Sequence, residues 1–239
     1  MTKRYFLSQP PDLEQSAFVR LDDQEAHHLL HVMRAKAGEE ATLFDGSGVE
    51  YQAYVREVAK REVTLEIVGR SEVDRESRTR LSLGVALPKG DRQQWLCEKL
   101  VELGCDELVP LHTERGVAAP VEAALARLRR TVIEASKQCG RNRLMSIAPP
   151  MTLAEFLAAP APAGSKLFLD ASGAPLSDVI ASVSAADARW RGAIGPEGGW
   201  SDEERACAER EGWQCVSLGK RILRIETAAI ALAARLCTV

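Results

Sequence analysis

The 239-residue sequence lacks the features that would place it in a membrane or in an oxidising compartment. It has no run of roughly eighteen or more apolar residues, which a membrane-spanning helix requires. Met1–Tyr5 carries no apolar stretch of the kind that signal peptides have. The six cysteines form no C-x-x-C pair, which favours free thiols in a reducing cytosol. We therefore expect a cytoplasmic protein that is long enough to bury its own core.

Common signatures of catalysis and of nucleotide binding are absent as well. There is no G-x-G-x-x-G of a dinucleotide-binding fold and no G-x-x-x-x-G-K-[ST] phosphate loop. His112 has no G-x-S-x-G partner, which argues against a serine hydrolase triad. His27 and His31 lie one helical turn apart, but no cysteine or acidic ligand set at zinc spacing completes them. We expect no metal site.

Charge is distributed unevenly, although the net charge of the whole chain is −3. Residues 1–75 hold ten basic against fourteen acidic side chains, whereas residues 127–143 hold six basic side chains against one glutamate. Two interpretations of the second segment are open. It is either a solvated helix face or a patch that contacts nucleic-acid phosphates.

The hydrophobic pattern changes near residue 75 and predicts two domains. Before it, apolar residues alternate with polar ones, as in Val63–Ile67, and Asp45–Gly48 is typical of a turn between strands. Residues 1–74 therefore read as a small β-barrel-like domain with one helix at Asp22–Arg34. Glu72–Arg80 is a plausible linker. In residues 75–239, strand and helix patterns alternate, which predicts an α/β domain with a mostly parallel sheet.

The alternating elements of the second domain are read from apolar runs and from helical spacing. The predicted strands are Leu81–Leu87, Leu108–Leu111, Ser146–Ala148, Lys166–Asp170, Gly192–Ile194 and Val216–Leu218. The predicted helices are Asp91–Leu103, Val121–Gln138, Ser201–Glu211 and Glu226–Cys237. Ser201 and Glu204 form a predicted capping box, Asp91 is a candidate N-cap, and Gly104 is expected to stop its helix.

The most informative segment is Gly195–Trp200 (GPEGGW), between an apolar strand and a capped helix. Its glycines allow the backbone to approach a ligand closely. Ligands of open α/β sheets bind beyond the carboxyl ends of the strands, where this loop lies. A tight strand–helix turn without a ligand is the alternative.

A second strand–helix connection, Leu218–Ala228 (LGKRILRIETA), carries three basic residues within five positions. It ends in Glu226, a carboxylate that the helix dipole alone would favour at a helix start. Alternatively, this loop holds a cofactor and orients a polar substrate. Two further segments have open roles. Glu134, Gln138 and Arg141 share one face if their helix continues, and Lys89 is either a phosphate contact or an ordinary exposed lysine.

Together these segments closely resemble one family, the 16S rRNA (uracil-N3)-methyltransferases of the RsmE type, in the SPOUT superfamily. The resemblance lies in Ile194–Trp200 (IGPEGGW), Leu218–Ala228, Glu134–Arg141 (EASKQCGR), Leu87–Asp91 (LPKGD) and Glu98–Gly104 (EKLVELG). Arg4–Leu7 (RYFL), His27–Leu29, Val32–Arg34 and Phe44–Gly46 also match. The ordered set covers nearly the whole chain. Ile225 departs from it, because the family more often has a small polar or β-branched residue there.

The resemblance implies a PUA-like RNA-binding β-barrel domain at residues 1–74 and a SPOUT methyltransferase domain with a trefoil knot at residues 75–239. It implies that S-adenosylmethionine binds in the knot, that the chain is a homodimer with RNA across both subunits, and that the substrate is a uridine of 16S rRNA in the small ribosomal subunit. A ribose 2′-O-methyltransferase and a non-catalytic ribosome-assembly factor are the alternatives.

The resemblance also implies roles for individual residues. Arg224 is the candidate that stabilises the uracil oxyanion, and Glu226 is a candidate base or positioning group, with Glu197 as the alternative base. The candidate cofactor-binding residues are Leu169, Gly195, Pro196, Glu197, Gly198, Gly199, Leu218, Gly219, Ile222, Leu223 and Thr227. The candidate RNA-binding residues are Arg4, Lys89, Gln138, Arg141 and Arg143.

Overall fold

The computed structural model describes residues 3–21, 25–26, 36–59, 62–116, 122–160, 166–181 and 189–237. The chain divides into two compact units. The first unit is Met1–Glu76 with Ile133–Leu144, and the second unit is Ser77–Val132 with Met145–Val239. The segment 133–144 thus groups with the first unit, although the sequence pattern assigned it to the second domain. The predicted domain boundary near residue 75 stays a prediction.

The first unit is built on a five-stranded mixed sheet. Its strands are β1 (Lys3–Phe6), β2 (Phe18–Arg20), β3 (Glu40–Phe44), β4 (Val49–Val58) and β5 (Val63–Glu72), in the order β1-β3-β4-β5-β2. β1 and β3 are parallel, and the other neighbours are antiparallel. Burial alternates along β4 and the first half of β5, so the sheet packs one face into a core that includes Tyr5, Leu43 and Leu65.

The predicted helix Asp22–Arg34 falls mainly outside the described residues; of its members, Glu25 and Ala26 are described and are helical. β4 and β5 each extend for ten residues, beyond the short alternating segments from which they were predicted.

The second unit contains a parallel sheet, as predicted. Its strands are β6 (Arg80–Val85), β7 (Glu107–His112), β8 (Ser146–Ile147), β9 (Met151–Thr152), β10 (Lys166–Pro175), β11 (Arg189–Ile194) and β12 (Gln214–Ser217). The order is β12-β10-β11-β6-β7-β8, β9 pairs with β7, and every pair is parallel. Because the strands are parallel, their carboxyl ends lie along the same edge of the sheet.

The helices are α1 (Arg92–Glu102), α2 (Glu122–Cys139), α3 (Leu153–Ala158), α4 (Leu176–Ala181), α5 (Asp202–Arg210) and α6 (Ile225–Cys237). The short α3 and α4 were not predicted. The capping box of Ser201 and Glu204 is confirmed at α5, and Gly104 follows the end of α1 with a φ of +85°. Asp91 precedes α1 but makes no side-chain capping hydrogen bond, contrary to expectation. No described helix has the length and apolar character that crossing a membrane needs.

The route from β12 to α6 determines where a ligand can bind. β12 lies at the edge of the sheet beside β10, whereas α6 packs against α1, β6 and β11 near the middle. The connecting residues 218–224 therefore pass the carboxyl ends of β10 and β11. The trefoil knot implied by the resemblance stays a prediction.

Candidate functional site

A cavity of about 480 Å³ lies at the carboxyl ends of β10, β11 and β12, within the second unit. Its wall is formed by Arg205 and by three segments, Leu169–Ala171, Ile194–Trp200, and parts of the stretch from Val216 to Ala228. The pairing of β10 with β11 ends at Leu169, and the register of β10 with β12 shifts between Leu169 and Ala174. β10 therefore leaves β11 at this level and bulges away from β12 before it pairs with β12 again at Ala174, and the cavity lies beside this irregular stretch.

The loop after β11 is held in place by Trp200, which is 2% exposed. Its ring stacks on Phe168 at a centroid distance of 4.4 Å, and its Nε1 donates a hydrogen bond of 2.8 Å to the carbonyl of Leu169. A Cβ at Gly195 would lie 2.7 Å from the Trp200 ring. Glycine at 195 is therefore what allows the ring to close against the loop and to link two walls of the cavity.

Two other glycines shape the cavity through their backbone. Gly199 and Gly219 have φ angles of +68° and +119°, which L-residues with side chains rarely adopt. Both line the cavity, and a Cβ at either would meet no atom within 4 Å. Larger side chains at these positions would project into open space beside the cavity.

Charged side chains stabilise the wall of the cavity, and two of them, Asp170 and Arg205, are part of it. Arg115 donates from one Nη1 to the carbonyls of Gly198 and Trp200, at 3.2 and 3.3 Å. Asp170, at the β10 wall, pairs with Nε of Arg205 at 2.9 Å. Burial would raise the pKa of Asp170, but hydrogen bonds from Ser172 and the Arg205 pair together hold that pKa below its usual value.

The loop after β12 presents apolar and basic side chains at the cavity. Leu218 and Leu223 are partly buried, whereas Arg221 and Arg224 are exposed and Ile222 is 93% exposed. Within the part of the chain that the structure describes, neither arginine forms an ion pair. Their charges are available to an anionic or electron-rich ligand.

A third connection also reaches this region. Arg92, the first residue of α1, has its Nη1 3.5 Å from Oε1 of Glu226 and its Nη2 3.6 Å from Oε1 of Glu197. Glu197 lines the cavity, but Glu226 does not. No local sequence pattern predicts this bridge or the contacts of Arg115, Asp170 and Arg205, because these contacts join residues far apart in the chain.

The structure brings the predicted cofactor-binding residues together with one exception. Thr227 is exposed and lies outside the cavity wall. The others all line it: Leu169, Gly195, Pro196, Glu197, Gly198, Gly199, Leu218, Gly219, Ile222 and Leu223. Arg224, the predicted catalytic arginine, lines it too. Two loops that are about twenty residues apart in the chain thus face one cavity.

The predicted RNA-binding residues have different surroundings. Lys89, Gln138 and Arg143 are exposed. Arg141 is 5% exposed and pairs through Nε with the equally buried Glu76 at 3.0 Å. The shared face of Glu134, Gln138 and Arg141 is not formed, because α2 ends at Cys139 and Gly140 follows with a φ of +81°.

Arg4 is also engaged inside the first unit. It hydrogen bonds to Glu50 and to the side-chain oxygen of Asn142, and its guanidinium lies over the Phe44 ring. RNA contact by Arg4 and Arg141 stays a prediction, while their observed contacts are structural. The basic charge of residues 127–143, for which two interpretations were open, is partly neutralised, because Arg129, Lys137 and Arg141 all form ion pairs.

No group of three or more histidine, cysteine or acidic side chains arranged for a metal ion occurs among the described residues. The predicted helical positions of His27 and His31 lie outside those residues.

Comparison with known proteins agrees with the architecture. The model of an RNA methyltransferase domain matches residues 75–237, and the model of an RNA methyltransferase PUA domain matches residues 21–68. Ribosomal RNA small subunit methyltransferase E of Synechocystis is 33% identical over 96% of this chain and 76% of the relative. The Bacillus subtilis protein of the same name is 27% identical over 95% of this chain and 93% of the relative.

Two solved structures resemble this chain over nearly its full length. Ribosomal RNA small subunit methyltransferase E from Neisseria gonorrhoeae, bound to S-adenosyl methionine, has a TM-score of 0.88 and 32% identity, and covers 98% of this chain and 96% of its own. A methyltransferase from Legionella pneumophila, also in complex with that cofactor, has a TM-score of 0.88 and 31% identity, and the match covers 99% of this chain and 97% of that protein.

The predicted fold class is confirmed: a PUA-like domain precedes an α/β methyltransferase domain of the SPOUT type. The family model of the RNA methyltransferase domain matches more than half of the chain, and the Synechocystis relative is 33% identical over most of this chain and most of its own. The chain therefore belongs to the RNA methyltransferases, in the family of ribosomal RNA small subunit methyltransferase E.

Proposed function

We propose that this chain transfers the methyl group of S-adenosylmethionine to N3 of a uridine in the 16S rRNA of the small ribosomal subunit. The observation that carries the proposal is the cavity at the ends of β10 to β12, because the two loops that line it are among the segments on which the resemblance to the family rests. The names of the relatives, and the cofactor bound in two of the similar structures, support it.

The cavity fits a ligand of this kind. Apolar side chains such as Leu169, Val216 and Leu223 suit a flat aromatic group, while the open space beside Gly199 and Gly219 lets a ligand approach the backbone closely. Its volume of about 480 Å³ lies within the usual range for small-molecule sites. When bound there, S-adenosylmethionine supplies a methyl group already activated on a sulfonium.

The chain's own residues must then prepare the uracil. Its N3 carries a proton and lies on the base-pairing edge, so the base must be unpaired before it reaches the cavity. Arg224 lines the cavity, is exposed and has no ion-pair partner among the described residues, and we assign it to the negative charge that develops on the uracil oxygen. Glu197 lines the cavity as well, whereas Glu226 does not, and we assign acceptance of the N3 proton to Glu197.

Substrate docking is assigned to exposed side chains that do not line the cavity. Lys89, Gln138 and Arg143 are exposed and suited to phosphate or base contacts. We also propose that residues 1–74 and 75–239 act as the two domains, and that the chain works in the cytoplasm as a homodimer. Light scattering of the purified protein measures the oligomeric state, and a monomer would contradict the homodimer.

The function is tested with labelled S-adenosylmethionine and small ribosomal subunits that lack the modification. Purified protein is incubated with assembled subunits and, in parallel, with free 16S rRNA, and the product nucleoside is identified after digestion. We expect label in 3-methyluridine. Label in a 2′-O-methylated nucleoside would show a ribose methyltransferase instead, and cofactor binding without any transfer would contradict the enzymatic function. The Arg224→Ala variant is the matched control, because it is expected to bind cofactor without transferring the methyl group.

A further inference from the structure

One side chain, Arg92, links the connection after β6 to the two connections that line the cavity. It begins α1 and so belongs to the connection that leaves β6, whereas Glu197 follows β11 and Glu226 lies in the first turn of α6, after β12. Its two terminal nitrogens lie 3.5 and 3.6 Å from one oxygen of Glu226 and one of Glu197. A single guanidinium thus bridges carboxylates from two segments of the site.

The two carboxylates differ sharply in burial. The side chain of Glu197 is 50% exposed, whereas that of Glu226 is 6% exposed. The Oε2 atom of Glu226 is buried and has no hydrogen-bond partner among the described atoms. An unpaired buried carboxylate is strongly unfavourable, although the amino terminus of a helix favours negative charge. Arg92 is therefore the cation that compensates Glu226, and its removal would leave that charge without a side-chain partner in the described part of the chain.

The position of Glu226 decides what it does. Its neighbours Arg224 and Ile225 line the cavity, but Glu226 does not, and its Oε1 faces Arg92. A group outside the wall is badly placed to take a proton from a substrate in the cavity. The same group is well placed to fix the first turn of α6, and with it the loop that carries Arg224.

We propose that Arg92 is a positioning residue of this site, and that Glu226 acts with it as a second positioning residue rather than as the proton acceptor. Arg92 neutralises the carboxylate of Glu226, and the ion pair between them fixes the start of α6. Arg92 also orients Glu197 in the loop after β11. The inference rests on the proposed function, because it assigns how the chain arranges the groups around cofactor and uracil.

A double-mutant cycle between Arg92 and Glu226 tests this. Arg92→Met leaves Glu226 buried and unpaired, and we expect the affinity for S-adenosylmethionine to fall about tenfold or more in calorimetry. Glu226→Gln removes the charge that needs compensation, so the double variant should regain most of that affinity. Its kcat should rise with it, within about tenfold of the wild-type protein. A merely additive loss in the double variant would overturn the proposal, and so would restored binding with kcat still abolished, because that result would make Glu226 the proton acceptor.

Two further variants keep the test decisive. Arg210→Met removes an exposed arginine at the end of α5 and should leave affinity and kcat unchanged. Arg92→Lys keeps one positive charge but cannot span both carboxylates, and an intermediate loss of affinity is expected, measurable even if Arg92→Met fails to fold. If Arg92→Met and Arg92→Lys both match Arg210→Met, the proposal is wrong. Failure of the proposed function would appear elsewhere, in wild-type protein that binds no S-adenosylmethionine or methylates no 16S rRNA.

Discussion

Replacing Gly195 with alanine tests how the first loop is built. Gly195 does not have a positive φ, so alanine is compatible with its backbone, and the difficulty is space. The new Cβ would lie 2.7, 3.0 and 3.1 Å from three atoms of the Trp200 ring. Distances this short force the indole to shift, and the indole is buried, stacked on Phe168 and hydrogen bonded to Leu169. We expect a cost of about 2 kcal/mol in the free energy of unfolding, as for other overpacked cores.

Gly199→Ala is the matched comparison in the same loop. Here the Cβ meets no atom within 4 Å, but φ is +68°, so the cost is backbone strain of about 1 kcal/mol. For a unit of this size, 1 kcal/mol corresponds to roughly 2–4 °C in Tm. Differential scanning calorimetry should therefore place Gly195→Ala about 4–8 °C below the wild-type protein and roughly twice as far below it as Gly199→Ala.

Ligand titration separates the two glycines in a second way. Gly195→Ala displaces a ring that links the walls and should weaken cofactor affinity through that displacement. A valine at 199 would project into open space beside the cavity, and Gly199→Val should abolish cofactor binding. Equal melting temperatures for the two alanine variants would refute the argument from packing at Gly195. Normal binding by Gly199→Val would refute the assignment of this loop to the cofactor.

The other predictions concern single charged groups. Arg224→Ala should lower kcat at least about 100-fold with little change in Tm, since the side chain is exposed; retained turnover would remove it from the mechanism. Arg141→Ala should lower the free energy of unfolding, measured by chemical denaturation, by about 3–5 kcal/mol, because it leaves Glu76 buried and unpaired. Arg143→Ala should change the free energy of unfolding by less than about 0.5 kcal/mol. It should weaken RNA binding and make that binding depend less steeply on salt concentration. Burial alone would raise the pKa of Asp170, but its hydrogen bonds and its ion pair together hold that pKa below the usual value. Ionised Asp170 therefore stabilises the fold at pH values above its unfolded pKa of about 4. This stabilisation is lost as the pH falls through the lower pKa of the folded state. The stability difference between wild type and Asp170→Asn should accordingly shrink on acidification, and a difference independent of pH would contradict this.

Much of the second unit follows from local sequence. Alternating apolar runs and helical spacing predict its parallel sheet, and the spacing of Ser201 and Glu204 predicts the observed capping box at α5. The shared cavity also follows, because parallel strands bring the loops after β11 and β12 to one edge. α3 and α4 were missed since each has six residues, too few for a helical pattern to stand out.

Other features depend on contacts that no local pattern encodes. Glu134, Gln138 and Arg141 would share one face only if their helix continued, but α2 ends before Gly140. Arg141 pairs instead with Glu76, which lies 65 positions earlier in the chain. The bridge from Arg92 to Glu197 and Glu226 likewise joins residues more than a hundred positions apart. Such pairs are set by the tertiary fold, so their burial and their partners become visible only in the folded chain.

The first unit is discontinuous, and this affects how the protein folds as it is made. Its sheet is encoded by residues up to 72, yet the unit also includes Ile133–Leu144, which supplies Lys137 to Glu25 and Asn142 to Glu50 and Arg4. During synthesis the last of the N-terminal strands ends at residue 72, about seventy residues before Asn142 is added and the polar network can close. Stalled nascent chains ending before residue 133 should present an incomplete first unit to the cell, with Arg4 and Glu50 still lacking Asn142.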